Sequence, residues 1–485
     1  MVVTYRNNRI APVVIITICI WLSYNLFDLH VNNWSSRRAW NGWETHHGLV
    51  KTDIVSHSGP TAPSSTSPST EHTPVPSKGT VPTGLNLTTS EILLIMKTGT
   101  TAMWKRLLIH FTTSLSPERI PPENVVLYSD SEDKIGDFQI IDVLANITET
   151  TKAHPDFDVY HQATEYSRYN VYLEAANLEG DNYGPPGGWV IDKYKFVPLI
   201  QHAGRNWPHV KWYVYMEDDT YLFLPNIIRY LSTFDWQQPH YLGHLGGRSD
   251  VVFAHGGSGF VLSRGAWEKS FGLNEAISEE YEEYASQHCC GDQILGHALN
   301  KYGVRFGENG GDEKFTWGFN GVVHWKFPFS RWNWCWPLMS WHHVHNRDVA
   351  RYYAFEQSWD FTKPLLYRDF ALGFITPGLR RRAEWWDNLS NLYSVSSGNK
   401  DNPPAPESGY DTALWKGAWK SADACEAACK GWSSCVQWNY VEDLCSMDER
   451  FIMGQGHAPA MSERKIGLMR TSGWLVDRLD DWKCD

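Results

Sequence analysis

No long run of Lys or Arg occurs in this chain, and its net charge is −12 at neutral pH. A nucleic-acid partner is therefore disfavoured, because phosphate backbones need a basic surface. There is no internal repeat, which argues against a repeat array. No His-Glu-x-x-His is present, and nothing supplies a third ligand at familiar spacing to His342, His343 and His345. A zinc hydrolase is left without its usual motif. The first apolar run has no small-x-small cleavage site after it, which argues against a cleaved signal peptide. Cysteine is sparse: nine in 485 residues, with Cys19 inside that run.

What is present begins with the run itself. Ile10 to Phe27 carries no charge, and at ~1.5 Å per residue it just spans a ~30 Å hydrocarbon core. Arg6 and Arg9 precede it and Asp28 follows, which predicts a cytosolic N-terminus and a lumenal remainder, although Arg37 and Arg38 oppose this. A lumenal setting agrees with the sequons at Asn33, Asn86, Asn146 and Asn388. It agrees also with an even set of eight remaining cysteines in an oxidising compartment. Thr52 to Thr89 is rich in Ser, Thr, Pro and Gly and reads as an extended, O-glycosylated stem.

Order is expected from Glu91-Ile-Leu-Leu-Ile-Met96, a continuous apolar run of strand length. Val125–Tyr128 and Trp212–Met216 read the same way. Helices are expected around Pro198 and over Leu224–Leu231, where Pro225 occupies the tolerated first turn. Strands alternating with helices predict an α/β domain with a mainly parallel sheet, whose ligands sit at strand carboxyl ends. At one such end lie Glu217, Asp218 and Asp219. Burying three carboxylates is costly unless a cation neutralises them, and a divalent metal bridging a diphosphate needs one or two such oxygens. The simpler alternative is a solvated acidic turn.

Chain composition also singles out 25 Trp. Trp332, Trp334 and Trp336 alternate, so on a strand they would share one face, either packed in the core or offered as a platform for a sugar. Asp292 precedes a helical pattern ending before Gly303, and on spacing alone it reads as a helix N-cap whose pKa the dipole lowers.

Seven blocks, taken in order, resemble the Fringe-like and core 1 β1,3-galactosyltransferase-like inverting glycosyltransferases, particularly fungal members. They are Leu94-Ile-Met-Lys-Thr98, Leu127-Tyr-Ser-Asp-Ser-Glu-Asp133, Trp189 to Phe196, Glu217-Asp-Asp-Thr-Tyr221, His255-Gly-Gly-Ser-Gly-Phe-Val-Leu-Ser263, Gly291-Asp-Gln-Ile-Leu-Gly296 and Ser340-Trp-His-His-Val344. The resemblance implies a GT-A-type fold, a UDP-sugar donor and Mn²⁺ or Mg²⁺. It implies Asp219 and His342 as metal ligands, with His343 adjoining. Lys97, Thr98, Asp130, Lys193 and Asp218 would face the donor, with Lys195 the alternative to Lys193. Gly256 and Gly257 would let backbone approach the donor. Asp292 would be the base that deprotonates the acceptor hydroxyl. Glu217 departs from the family's first Asp.

The implied activity is transfer of a hexose or N-acetylhexosamine to a glycan or glycoprotein in β1,3 linkage, in the Golgi, by a single-pass type II protein. The alternative is a catalytically degenerate membrane protein that binds carbohydrate or protein through its tail. That tail, Cys425-x3-Cys429-x5-Cys435 to Cys445, resembles a PAN/Apple-like module. Four cysteines allow three pairings; the resemblance implies Cys425–Cys445 and Cys429–Cys435. Adjacent cysteines rarely bridge each other, so Cys289 and Cys290 are expected to pair with Cys335 and Cys484, pinning the loop before Asp292. The expected organisation is a cytosolic tail (1–9), a transmembrane signal-anchor (10–27), a stem (28–89), a GT-A domain (90–375), a linker (376–410) and the PAN/Apple-like module (411–485).

Overall fold

Alternate residues of the first strand enter different cores. The computed structural model describes residues 87–168, 188–248, 250–308, 313–456 and 468–484, all within one unit, Pro74–Asp485. In β1 (Ile92–Lys97), Leu93 and Ile95 join one apolar cluster. Ile92, Leu94 and Met96 join another on the opposite face. In β5 (Trp212–Glu217) the same division places Tyr213 and Tyr215 on one side and Trp212, Val214 and Met216 on the other. A sheet covered on both faces has continuous apolar strands, which is why these runs were readable.

The remaining strands of this sheet are β2 (Val125–Ser129), β3 (Asp133–Ile135), β4 (Phe138–Asp142), β6 (Tyr241–Gly243) and β7 (Phe260–Ser263). Their order is β3-β4-β2-β1-β5-β7-β6. β4, β2, β1 and β5 are parallel; β3, β7 and β6 add antiparallel edges. Helices form over Phe196–Asn206 and Leu224–Leu231, with Pro198 and Pro225 near their starts. Pro lacks an N–H, and the first turn has no partner for one.

A second sheet lies near the C-terminal end of the chain. It consists of β8 (Arg382–Glu384), β9 (Tyr393–Ser396), β10 (Gln437–Val441), β11 (Leu444–Asp448) and β12 (Thr471–Trp474), in the order β8-β12-β10-β11-β9. The helix Ala422–Lys430 carries Cys425 and Cys429 beneath it, bridged to Cys445 and Cys435. The 376–410 stretch is therefore not merely a linker, since it contributes β8 and β9. Both strands are short and only partly buried, so their apolar signal is weak beside the following prolines.

Two other expectations are corrected. Cys289 bonds to Cys290, and Cys335 bonds to Cys484. The turn before Asp292 is thus closed on itself rather than pinned to a distant segment. Asn388 is fully buried, and its Nδ2 donates to the carbonyls of Trp438 (3.0 Å) and Gly473 (3.4 Å). An amide held this way is not available to a glycan. Asn146 lies exposed on a turn, whereas Asn33 and Asn86 fall outside the described residues. So does the Ile10–Phe27 run; among the described residues no helix is long and apolar enough to cross a membrane.

Candidate active site

β1 and β5 are parallel neighbours, and their register pairs Lys97 with Glu217. Both strands therefore release their next residues side by side at the carboxyl edge of the sheet. After Glu217 the chain turns through Asp218 and Asp219 into Tyr221–Leu222, which pairs antiparallel with Ser340–Trp341. That pairing explains how a residue over a hundred positions later reaches the carboxylates. The backbone N–H of Val344 donates to the Asp219 carbonyl at 2.8 Å, and His342 Nε2 lies 3.3 Å from Asp219 Oδ1. His343 has φ 57°, a left-handed conformation uncommon for a residue with a Cβ. Its ring stacks on that of His342 at 3.8 Å, and its Nδ1 lies 3.7 Å from Asp219 Oδ2.

Ligand atoms of Asp219, His342 and His343 lie within 4.8 Å of one another. Two buried atoms in this cluster, Asp219 Oδ1 and His342 Nδ1, make no well-formed hydrogen bond, Oδ1 having only the 3.3 Å approach of His342 Nε2. Buried polar atoms are rarely left so. A carboxylate with imidazole nitrogens is a donor set that suits a divalent metal ion. Burial alone would raise the Asp219 pKa, but the imidazoles of His342 and His343 and the charge of Arg106 hold it well below the usual range.

Arg106 had no signal in the sequence. It ends the short helix Met103–Arg106, and its Nη1 lies 3.1 Å from Asp218 Oδ1 and 3.3 Å from Asp219 Oδ2. Asp218 also accepts from Thr98 Oγ1 at 2.6 Å. Lys97 is buried and pairs with Asp192 and, at 3.2 Å, with Glu217. Burial works against its charge, and these two carboxylates outweigh burial and raise its pKa. Asp192 was also missed. It lies 3.2 Å from Lys195, whose Nζ donates to the Thr98 carbonyl at 3.0 Å and lies 3.6 Å from Asp130. Asp130 itself accepts from the Thr100 N–H at 2.7 Å. Lys195, not Lys193, therefore joins the expected donor-side residues. Lys193 pairs with Asp156 at 2.7 Å and is not part of this network. The two lysines lie only two positions apart, too close for sequence spacing to separate.

Gly256 and Gly257 open a tight turn behind His255. A Cβ on Gly257 would lie 2.1 Å from the His342 ring, and one on Gly256 would lie 2.8 Å from the Phe196 ring. These glycines make room for protein side chains, a different reason from the ligand approach expected. Thr220 Oγ1 ties the same turn to the carboxylates by donating to the Gly257 carbonyl at 2.7 Å.

Asp292 is the second residue of the helix Gly291–Lys301; the N-cap is Cys290, whose side chain makes no capping bond. Asp292 Oδ2 accepts from the Gly256 N–H at 2.9 Å and Oδ1 from the Gln293 N–H at 2.8 Å. Burial raises its pKa, and the two N–H groups and Lys97 only partly counter this. The lowering expected from the helix N-terminus is thus outweighed, which leaves a better base.

Beside His342 opens a cleft of about 490 Å³, lined among others by His244, His255, Trp317, Asn320, Trp332 and Trp336. His255 joins the cleft to the Asp219–His342–His343 cluster, with its ring 5.5 Å from that of His342. Burial and the neighbouring histidines push its pKa down to about 4. Residues 331–335 form turns rather than a strand, so the three alternating tryptophans separate. Trp334 is fully buried, whereas Trp332 is 63 % exposed and meets Trp336 at 4.0 Å.

Residues 87–306 match the Fringe-like family model. No curated protein matches the chain. The match points to a glycosyltransferase, and the mixed α/β sheet with its parallel centre fits the GT-A fold. It includes Lys97, Asp130, Asp218, Asp219, Gly256, Gly257 and Asp292, and ends before His342 and the aromatic segment.

Proposed function

We propose that this chain is a metal-dependent inverting glycosyltransferase, moving a hexose or N-acetylhexosamine from a UDP-sugar to a glycan or glycoprotein, in β1,3 linkage. The observation that carries this reading is the convergence of Asp219, His342 and His343 ligand atoms, within 4.8 Å of one another, at the carboxyl edge of a sheet in the Fringe-like segment. Asp219 and His342, with His343 beside them, would hold Mn²⁺ or Mg²⁺. Such an ion supplies Lewis-acid stabilisation to a departing diphosphate.

The chain's own groups divide the remaining work. Asp218, Thr98, Asp130, Lys97 and Lys195 form the polar donor wall. Asp292, fixed by the Gly256 N–H, takes the proton of the acceptor hydroxyl as its oxygen attacks the anomeric carbon. The new C–O bond forms as the bond to UDP breaks, and UDP leaves with the electron pair, so no second acid is required. The aromatic cleft faces the acceptor, since Trp faces suit the apolar faces of sugar rings. The C-terminal unit, running from β8 to Cys484 around the second sheet, is read as PAN/Apple-like, supported by its helix under that sheet and two nested disulfides. Placement as a type II Golgi protein rests on the Ile10–Phe27 run and the family resemblance.

The test is UDP release by residues 74–485 across a panel of UDP-sugars and acceptor glycans with Mn²⁺, with EDTA and Asp219→Ala as controls. Turnover that needs both the ion and Asp219 is expected. Failure with every donor would leave the carbohydrate- or protein-binding reading of the C-terminal unit.

A further inference from the structure

The segment that forms the aromatic wall of the cleft does not stand on the transferase domain alone. Phe329 and Trp334 enter a core that also contains Val436, Phe451, Trp474, Leu479 and Trp482 from the C-terminal unit. Phe329 and Phe451 exchange both backbone hydrogen bonds, at 2.9 and 2.8 Å, and the Gly454 N–H donates to the Trp325 carbonyl at 2.8 Å. The rings of Trp334 and Trp482 meet edge-on at 4.9 Å. Arg331 lies 5.6 Å over the Trp482 ring and donates to the Asp481 carbonyl at 3.3 Å. The Cys335–Cys484 bridge locks the same turn to the chain 149 positions later.

These attachments alternate with the cleft residues. Trp332 lies between Arg331 and Trp334, and Trp336 directly follows Cys335. The donor-side strands β1 and β5 pack into the two other cores. The C-terminal unit therefore braces one wall of the cleft while leaving the donor wall to the central sheet.

We propose that the C-terminal unit is a positioning element for acceptor binding, holding Trp332 and Trp336 in place through Cys335–Cys484 and the Trp334–Trp482 contact. This rests on the acceptor reading of the cleft given above. A wall held at several points is pre-organised, and loosening it penalises the substrate that it orients.

Two variants of residues 74–485 test this: Cys335→Ser with Cys484→Ser, and Arg331→Ala, an exposed change that spares the fold. Acceptor KM is expected to rise about tenfold or more in the double variant and less in Arg331→Ala, with donor KM within about twofold. Hydrogen exchange should quicken over residues 325–336 and stay unchanged over β1 and β5. Unchanged acceptor KM and exchange would overturn the proposal. So would equal losses on donor and acceptor sides, which mark general damage. If the unmodified protein turns over no UDP-sugar, the functional reading fails by itself. Exchange then decides the positional claim: faster at 325–336 supports it, and no change overturns it.

Discussion

Asp292 reaches from the first turn of its helix to accept the backbone N–H of Gly256 at 2.9 Å. This single bond joins Asp292, the proposed base, to the turn that also makes room for His342. It positions the carboxylate without neutralising it, and burial still raises its pKa. A carboxyl whose folded pKa lies above its unfolded value gives stability that is full below the unfolded value and lost as pH rises through the folded one. Ionised Asp292 therefore costs stability near neutrality. Asp292→Asn is expected to raise the melting temperature at about pH 7, with the gain vanishing below the ordinary carboxylate range. The same change should lower kcat by about 10²–10⁴-fold. Melting curves across pH, run beside rate profiles, check both; a variant less stable near neutrality contradicts the sign.

Arg106 supplies positive charge to Asp218 and Asp219, where a divalent ion would supply more. Arg106→Ala is expected to tighten Mn²⁺ binding in the absence of UDP by about three- to tenfold, the ~1 kcal/mol scale of a partly exposed pair. Calorimetric titration measures this directly, and weaker binding would show that Arg106 supports the ion rather than competes with it.

Gly257→Ala should act at a distance from the substituted backbone. Its Cβ would lie 2.1 Å from the His342 ring, so the imidazole must move. Mn²⁺ affinity should fall by about tenfold or more, the usual scale for disturbing a ligand's support. Wild-type affinity in this variant would remove His342 from the ligand set.

Trp332 and Trp334 are two positions apart and should behave oppositely. Trp334→Ala opens a void in a closed core and is expected to cost about 3–5 kcal/mol of stability. Trp332→Ala, at an exposed site, should change stability by less than about 0.5 kcal/mol and raise acceptor KM. Chemical denaturation and acceptor kinetics separate the two effects.

Much of the carboxylate-bearing edge was legible because burial on both faces forces apolar continuity. β1, β2 and β5 could be read from Glu91–Met96, Val125–Tyr128 and Trp212–Met216, and the carboxylates at the end of β5 followed. What escaped reading was set by packing across long separations. Nothing near Arg106 announces that its helix faces Asp218. The partner of Lys97, Asp192, lies 95 positions away. β8 and β9 are too short and too exposed to leave a pattern, so a Pro-rich stretch hid them. The Cys289–Cys290 bond joins neighbours, the one pairing that a rule about adjacent cysteines sets aside.

The bond between Cys335 and Cys484 also places a constraint on time. Residue 335 leaves the ribosome 149 residues before its partner, which at ~5–20 residues per second is an interval of about 7–30 s. The central sheet can assemble during that interval, with β1 and β5 already paired. The aromatic wall cannot be locked until the second sheet has been made. A chain arrested in between would carry paired β1 and β5 strands but an aromatic wall still without its bridge to residue 484, so the two sides of the cleft are completed at different times.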